Sequence, residues 1–283
     1  MSAKVTPEMV KDLRERTGVG MSKCKEALDK AGGDMESAID ILRKAGMASA
    51  VKKEGRETNE GSIGTAEGKT AYALVEVNAE TDFVVKSDKF KQFLKDIAEE
   101  AAETRPASVE AFLKQTYSKD KSITIDQYRS LVIQSLGENI QLRRIKIIPK
   151  SKDASIGIYS HMGGKIVTMV VLTGGSGQEA FARDIAMHIA AEAPEYLRPE
   201  DVPPDVKARE EDIARGQVQG KPVNIVDKIV EGKIKAFYDL VCLNFQKYVK
   251  DNTITISALV EKEGKRLNKS LAIQSFVRWK VGG

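Results

Sequence analysis

The chain carries one short unit twice, and that repeat narrows the fold more than any other feature. "GSIGTAEGKTAYALVEVN" (61–78) and "SIGIYSHMGGKIVTMVVLTGG" (155–175) each read as two alternating strands joined by a turn. Each is followed by a helix-period segment, and the segments end alike, in "KDIAEEAAETRP" (95–106) and "RDIAMHIAAEAP" (183–194). Strand Gly61–Gly64 matches Ile156–Tyr159, and Thr70–Asn78 matches Lys165–Thr173. A hairpin with one apolar face needs a cover, and a helix that follows directly supplies it. Two such units make an α+β core of two related halves.

The remaining segments surround that core. Residues 1–46 read as three short helices: Pro7 to Thr17 with Thr6 as cap, a second from near Ser22 turning Cys24, Ala27 and Leu28 inward, and a third capped by Asp34 and stopped by Gly46. So few large apolar residues give a thin core, and such a module is expected to dock on something else. "VKKEGRETNEG" reads as a linker. The first hairpin turns at Ala66-Glu67-Gly68, and a helix runs from Ser87 to about Glu103. Residues 109–136 read as mostly helical, and "NIQLRRIKIIP" as a long strand. Two helical patterns, roughly 203–217 and 222–247, flank "QGKP" and suggest an antiparallel helical hairpin with Ile225, Ile229, Ile234 and Phe237 along it. "TISALVEKEGKRL" is then a helix and "SLAIQSFVRWKV" a closing strand. The expected domains are a three-helix module and linker (1–56), a first core half (57–150), the first part of a second half (151–200), a helical-hairpin insertion (201–250) and a closing helix and strand (251–283).

Composition excludes several classes. The net charge of +4 is small, and Lys and Arg alternate with Asp and Glu almost everywhere, as on a solvated surface. A nucleic-acid binder clusters its positive charge on one face. Cys24 and Cys242 are far apart, and with His161 and His188 they make no metal-ligand spacing. No apolar run reaches the length of a membrane span. The start lacks a signal-peptide apolar region, so the cytoplasm is the expected compartment and no membrane association is expected.

The chemistry-like motifs have plainer readings. "GTAEGKT" (64–70) has three residues between its glycines, where a phosphate loop has four, and it joins two strands. "GGSGQ" (174–178) precedes a helix that could attract an anion, but it has no Lys partner and reads as a flexible loop. His161 sits in the second hairpin turn without an identifiable Ser, Cys or carboxylate partner, and reads as a surface contact. His188 lies mid-helix as a packing histidine. Arg143, Arg144, Lys146 and Lys150 make a basic strand with the character of a solvated face. The exception is "TDFV", Thr81-Asp82-Phe83-Val84, at the corner where strand becomes helix. Thr81 could cap a short helix with Phe83 packed under it. The second copy of the repeat has "LTGGSGQEAF" at this corner, so the scaffold itself does not require Asp82 and Phe83.

Five stretches, "VKDLRERTGVGMSKCKEAL", "GGDMESAIDILRKAG", "EVNAETDFV", "LGENIQLRR" and "DIAMHIAA", together resemble the bacterial elongation factor Ts family in the family's order, from about residue 5 to 281. The resemblance implies a guanine nucleotide exchange factor in translation elongation. It would act on elongation factor Tu and on that partner's bound GDP and Mg²⁺, with no covalent chemistry and no cofactor of its own. It also implies a ubiquitin-associated-type N-terminal module, and a coiled-coil insertion at 201–250 through which copies could self-associate. Thr81, Asp82, Phe83 and Val84 would enter the partner near its magnesium and phosphate site. Arg14, Met21, Ser22 and Lys25 on the module, Leu136 and Gly137 in "LGEN", and His161 match the family's contact positions; the family usually has Met where Ser22 stands. In members with a longer tail another helix follows the last strand, and the sequence here stops at Gly283, before it. The alternative is an RNA-binding or scaffold protein built on the three-helix module and basic strand, although base-stacking strand aromatics are missing from the hairpins.

Overall fold

A computed structural model describes residues 5–218 and 223–283 and is mixed helix and sheet, α+β. The chain divides into two compact units, residues up to Lys150 with Lys280–Gly283, and Ser151–Trp279. The first contains α1 (Pro7–Thr17), α2 (Met21–Lys30), α3 (Met35–Lys53), β1 (Glu60–Glu67), β2 (Ala71–Ala79), α4 (Asp82–Lys86), α5 (Asp88–Thr104), α6 (Val109–Lys114), β3 (Thr116–Tyr117), β4 (Asp120–Thr124), α7 (Ile125–Leu136) and β5 (Ile140–Pro149). The second contains β6 (Ala154–His161), β7 (Ile166–Thr173), α8 (Glu179–Glu192), α9 (Pro204–Gly216), α10 (Val223–Val241), β8 (Lys247–Tyr248), β9 (Asp251–Thr255), α11 (Ile256–Leu267) and β10 (Ala272–Lys280). The "QGKP" turn, residues 219–222, lies outside the described residues.

The first unit is organised by the antiparallel sheet β1-β2-β5. Ala73, Val75, Val77 and Ala79 of β2 alternate onto one face and meet Phe90, Phe93, Leu94, Ile97 and Ala101 of α5 in a single apolar cluster. The hairpin turn falls later than the alternation suggested. Glu67 still pairs with Tyr72, and Gly68 N–H donates to Ala71 O to close the turn. Gly68 lies against α5, where a Cβ would come 2.6 Å from Ala102 O, so only glycine lets the hairpin end there.

The three N-terminal helices have the expected caps: Thr6 Oγ accepts from Met9 N–H, and Asp34 from Ser37 N–H. Their own core is Val10, Leu13, Val19, Cys24, Ala27, Leu28, Ala38 and Leu42. Gly46, expected to end α3, sits within it, and α3 continues to Lys53 through what read as linker. A Cβ on Gly46 would sit 3.3 Å from Gln134 Oε1 and 3.4 Å from Ser130 O, both on α7. Gly46 is thus a close-approach point between two helices, and α7 packing stabilises the extra turns beyond what local propensity offers. Ala50, in those turns, belongs to the main core of the unit.

Residues 109–136 are not continuous helix. The small β3–β4 hairpin interrupts them, and the second unit has the same hairpin in β8–β9 with the same register, Thr116↔Thr124 and Tyr117↔Asp120 against Lys247↔Thr255 and Tyr248↔Asp251. "QTYSKDKSITI" (115–125) and "QKYVKDNTITI" (246–256) carry this second part of the repeat. Each is followed by a helix and then a strand that joins the sheet, giving order β10-β7-β6 in the second unit. Gly64 and Gly157 occupy equivalent places, since added Cβ atoms would strike Leu94 and Ala182, one helix position apart from Lys95 and Arg183 in the aligned helix endings. The true register therefore sets Gly64 against Gly157, two residues from the match read in sequence. A shift of two leaves every side chain on the same face.

In the helical hairpin, Ala214, Val218, Val230 and Ile234 form the seam, joined by Val226, Ile229 and Tyr238. α10 ends at Val241, six residues before the expected limit. Beyond it Leu243 and Asn244 N–H groups donate to Tyr196 and Leu197 carbonyls, which ties this piece to the segment that follows α8. Among the described residues no helix is long and apolar enough to cross a membrane.

His188 is fully buried and holds the second small hairpin in place. Its Nδ1 accepts from Val249 N–H (3.2 Å), so the proton is on Nε2, which donates to Gln246 Oε1 (3.0 Å). Burial pushes the imidazole below its ordinary value of 6.5, opposed by the Gln246 bond and by Glu192. The folded state thus favours the neutral ring, while the unfolded chain takes up a proton near 6.5. The resulting stability is complete above that pH and is lost as pH falls toward the depressed folded value. Thermal unfolding followed from pH 8 to 5 should show a decline in melting temperature setting in below about pH 6.5. His188→Gln should flatten that part of the profile.

Candidate functional site

The corner between β2 and α5 is a one-turn helix with shared caps. Thr81 Oγ accepts from Val84 N–H (3.4 Å), which starts α4. Ser87 ends α4 by donating its hydroxyl to Val84 O (2.6 Å) and starts α5 by accepting from Phe90 N–H (3.3 Å). Five residues cannot hold a helix alone, so buried Val85 and half-buried Val84 anchor it on the core. Asp82 faces Lys86 at 2.6 Å, and that bond raises the exposed ammonium's pKa. Phe83 points outward and is 81% exposed. Thr81 is a cap, as one sequence reading had it, but the aromatic is not packed beneath it.

A clamp holds this corner to the turn after α7. Glu138 takes both donors of Thr81, the hydroxyl at 2.6 Å and the N–H at 3.0 Å. In return Glu80 Oε1 accepts from Asn139 N–H (2.6 Å) and pairs with Arg56 (3.4 Å). Asn139 Nδ2 donates to Arg56 O (2.9 Å) and Glu54 O (3.3 Å), at the end of α3. Leu136 is the last residue of α7, and exposed Gly137 follows at φ 82°, the left-handed conformation that reverses the chain and aims Glu138 back at Thr81.

On the module, Arg14, Met21, Ser22 and Lys25 are all exposed, around the end of α1 and the first turns of α2. The "TGVG" turn between those helices is fastened to α5 and α7. Ser135 Oγ (2.9 Å) and Lys89 Nζ both donate to Gly18 O, and Lys23 Nζ reaches Gln134 O (3.5 Å). Burial, aided by Arg14, lowers the Lys89 pKa. Ten of the eleven residues chosen from sequence therefore fall in the first unit, joined through residues 134–139. His161 lies in the second, exposed at the β6–β7 turn with its ring stacked 6.1 Å from Tyr159.

Sequence reading missed Glu138, Glu80, Asn139, Lys89 and Ser135. Nothing local marks them, since each acts on a residue far away in the chain. Among the described residues no group of three or more His, Cys, Asp or Glu could hold a metal ion. The basic strand is partly neutralised from within, Arg144 by buried Glu76 (2.7 Å) and Lys150 by Glu67.

Phe83 thus stands exposed on a short helix that Glu138 and Thr81 clamp in place. Comparison with known proteins gives the family. The profile described as Elongation factor TS matches residues 80–283. Elongation factor Ts of Protochlamydia amoebophila is 63% identical over 280 residues, covering 99% of both chains. Those of Chlamydia caviae and Chlamydia felis are 45% and 44% identical over 275 residues, 97% of this chain and 98% of theirs. The chain belongs to the elongation factor Ts family, a family of translation elongation factors.

The exposure of Phe83 yields a stability contrast. Phe83→Ala should change folding stability by under about 1 kcal/mol. Phe90→Ala, seven residues on and fully buried, should cost about 3–5 kcal/mol. Urea denaturation of the two variants measures the difference.

Proposed function

We propose that the chain is a guanine nucleotide exchange factor for elongation factor Tu, and that Phe83 and Asp82 promote GDP release by entering the partner beside its Mg²⁺ and phosphates. The exposed Phe83 on a corner held by Thr81 and Glu138 carries this reading. GDP is held largely through Mg²⁺ and backbone N–H groups around its phosphates. A factor that binds the nucleotide-free shape more tightly must weaken GDP by the same factor. A Phe side chain buries about 150–250 Å², or on the order of 4–6 kcal/mol gross at ~25 cal/mol per Å². Every 1.4 kcal/mol of that gain retained is about a factor of ten in the coupling. Phe83 has few torsions to freeze, and its backbone is fixed beforehand, so little of the gain is lost to ordering. No bond is made or broken.

Arg14, Met21, Ser22, Lys25, Leu136, Gly137 and His161 are the further contacts in this reading, and the cytoplasm is its compartment. The test is release of labelled GDP from purified elongation factor Tu. The protein should accelerate it at substoichiometric amounts. Phe83→Ala should slow the stimulated release roughly 10–100-fold, the cost of truncating an anchor aromatic. Coinciding spontaneous and assisted rates would end the proposal.

The helical hairpin has its own apolar seam, so its outer part is separable from exchange. Replacing residues 208–235 by a short Gly/Ser linker retains the basal contacts of Val202, Val206, Phe237, Val241 and Cys242 and leaves Gln246 bonded to His188. That variant should fold and exchange GDP at the full rate. Its mass in solution, against that of the unaltered chain, reports whether the hairpin joins two copies. A folded variant without exchange activity would place the hairpin in the working interface.

A further inference from the structure

We propose that Glu138 is a positioning residue for exchange: its carboxylate locks the Phe83 corner to the Leu136–Gly137 turn, so that the two contact elements meet the partner as one rigid surface. The inference rests on the exchange reading above.

The geometry is reciprocal. Glu138 accepts the hydroxyl and the N–H of Thr81, while Glu80, the residue before Thr81, accepts the N–H of Asn139, the residue after Glu138. Two chain segments about sixty positions apart are thereby bonded backbone-to-side-chain in both directions. A carboxylate suits its half of this arrangement, because both of its oxygens accept and Thr81 offers two donors. A Gln could keep the bond to the Thr81 N–H and reverse the other, donating its N–H₂ to the hydroxyl oxygen, so Ala, which removes both acceptors, is the variant that opens the clamp.

The hydroxyl of Thr81 transmits the restraint. By donating to Glu138 it turns a lone pair toward Val84 N–H, the bond that starts α4. With only five residues, α4 has little stability of its own, and its direction follows its caps. Phe83 is in that first turn and is 81% exposed. Loss of the Glu138 bond therefore frees the aromatic without emptying the core. The turn that Glu138 stabilises carries Leu136 and Gly137, and immediately before it Gln134 and Ser135 hold the module through Lys23 and Gly18. Contact made by the module is in this way delivered to Phe83 in a fixed geometry. A misplacement of about 1 Å in such an element can cost on the order of 10²-fold in rate.

The experiment compares the unaltered protein with Glu138→Ala, Thr81→Val and Thr81→Ser in stimulated GDP release over a range of protein concentrations. A positioning role lowers the rate at saturation about 10-fold or more in Glu138→Ala and Thr81→Val, and changes the half-saturating concentration less than about 3-fold. Thr81→Ser keeps both donors and should recover most of the rate that Thr81→Val loses. The losses in the double variant Thr81→Val/Glu138→Ala should fall short of the sum of the two single losses, because either change removes the hydroxyl–carboxylate bond. Amides 82–85 should exchange hydrogen faster in Glu138→Ala without any partner present, a readout independent of activity. Full saturating rates in both single variants, additive losses in the double variant, or unchanged amide exchange would each overturn the role. A shift confined to the half-saturating concentration would also overturn it, because it would make Glu138 a simple contact. If the unaltered protein itself fails to accelerate release, the exchange reading falls and this role with it, an outcome distinct from failure of the variants alone.

Discussion

Each half of the chain depends on one polar group buried on its long helix. In the first it is Glu100, which accepts from Gln115 Nε2, Ser118 N–H and the Ser118 hydroxyl. In the second it is His188, at the matching place in "RDIAMHIAAEAP", bonded to Gln246 and Val249 N–H. The partners match too, since Gln115 and Gln246 open the two aligned hairpin sequences. Beside them Lys119 bonds Asp96 and Lys250 bonds Asp184, again in matching places. A two-stranded hairpin of this size is not stable alone. Anchored to a buried acceptor, it fixes where the following helix begins, and that helix delivers the last strand of the sheet. The residue type at the anchor has changed between copies, while its task of accepting a backbone N–H has not.

The clamp at the corner inherits its precision from this scaffold. α7 starts from the anchored hairpin with a reciprocal cap between Thr124 and Gln127, and ends at left-handed Gly137. Both of its ends are therefore set before Glu138 reaches Thr81. The same α7 supports the N-terminal module through Gly46, Gln134 and Ser135. One helix thus carries the module and fixes the clamp, and the surface residues assigned to partner contact in this unit are arranged around it.

Stability and exposure are divided cleanly between neighbours at the corner. Val85 is buried and Val84 half-buried, while Phe83, one position earlier, is in solvent. So exposed a Phe contributes little to the stability of the fold. The second copy of the repeat, with "LTGGSGQEAF" at this corner, folds the same hairpin and helix without it. There Ser155 holds the glycine-rich loop by donating to Gly175 O and accepting from Gln178 N–H (2.8 Å).

The sequence by itself determined what depends on neighbours along the chain. Alternation in β2 and helical spacing in α5 set the layered halves, because both periods are fixed by backbone geometry. Thr6, Asp34, Thr81 and Ser87 were legible as helix starts, because a cap bonds only two or three residues ahead. The missing counterpart of Asp82 and Phe83 in the repeat marked them as additions to the scaffold. Tertiary structure decided the rest. α3 passes Gly46 because α7 lies against it, the 116–124 segment becomes a hairpin because Glu100 and Asp96 bind its residues, and α10 stops at Val241 because the chain beyond pairs with Tyr196 and Leu197. Glu138 becomes a clamp only when the fold brings Thr81 beside it. In each case the deciding partner is remote in sequence, and a bond to a remote group leaves no periodic or local signature to read.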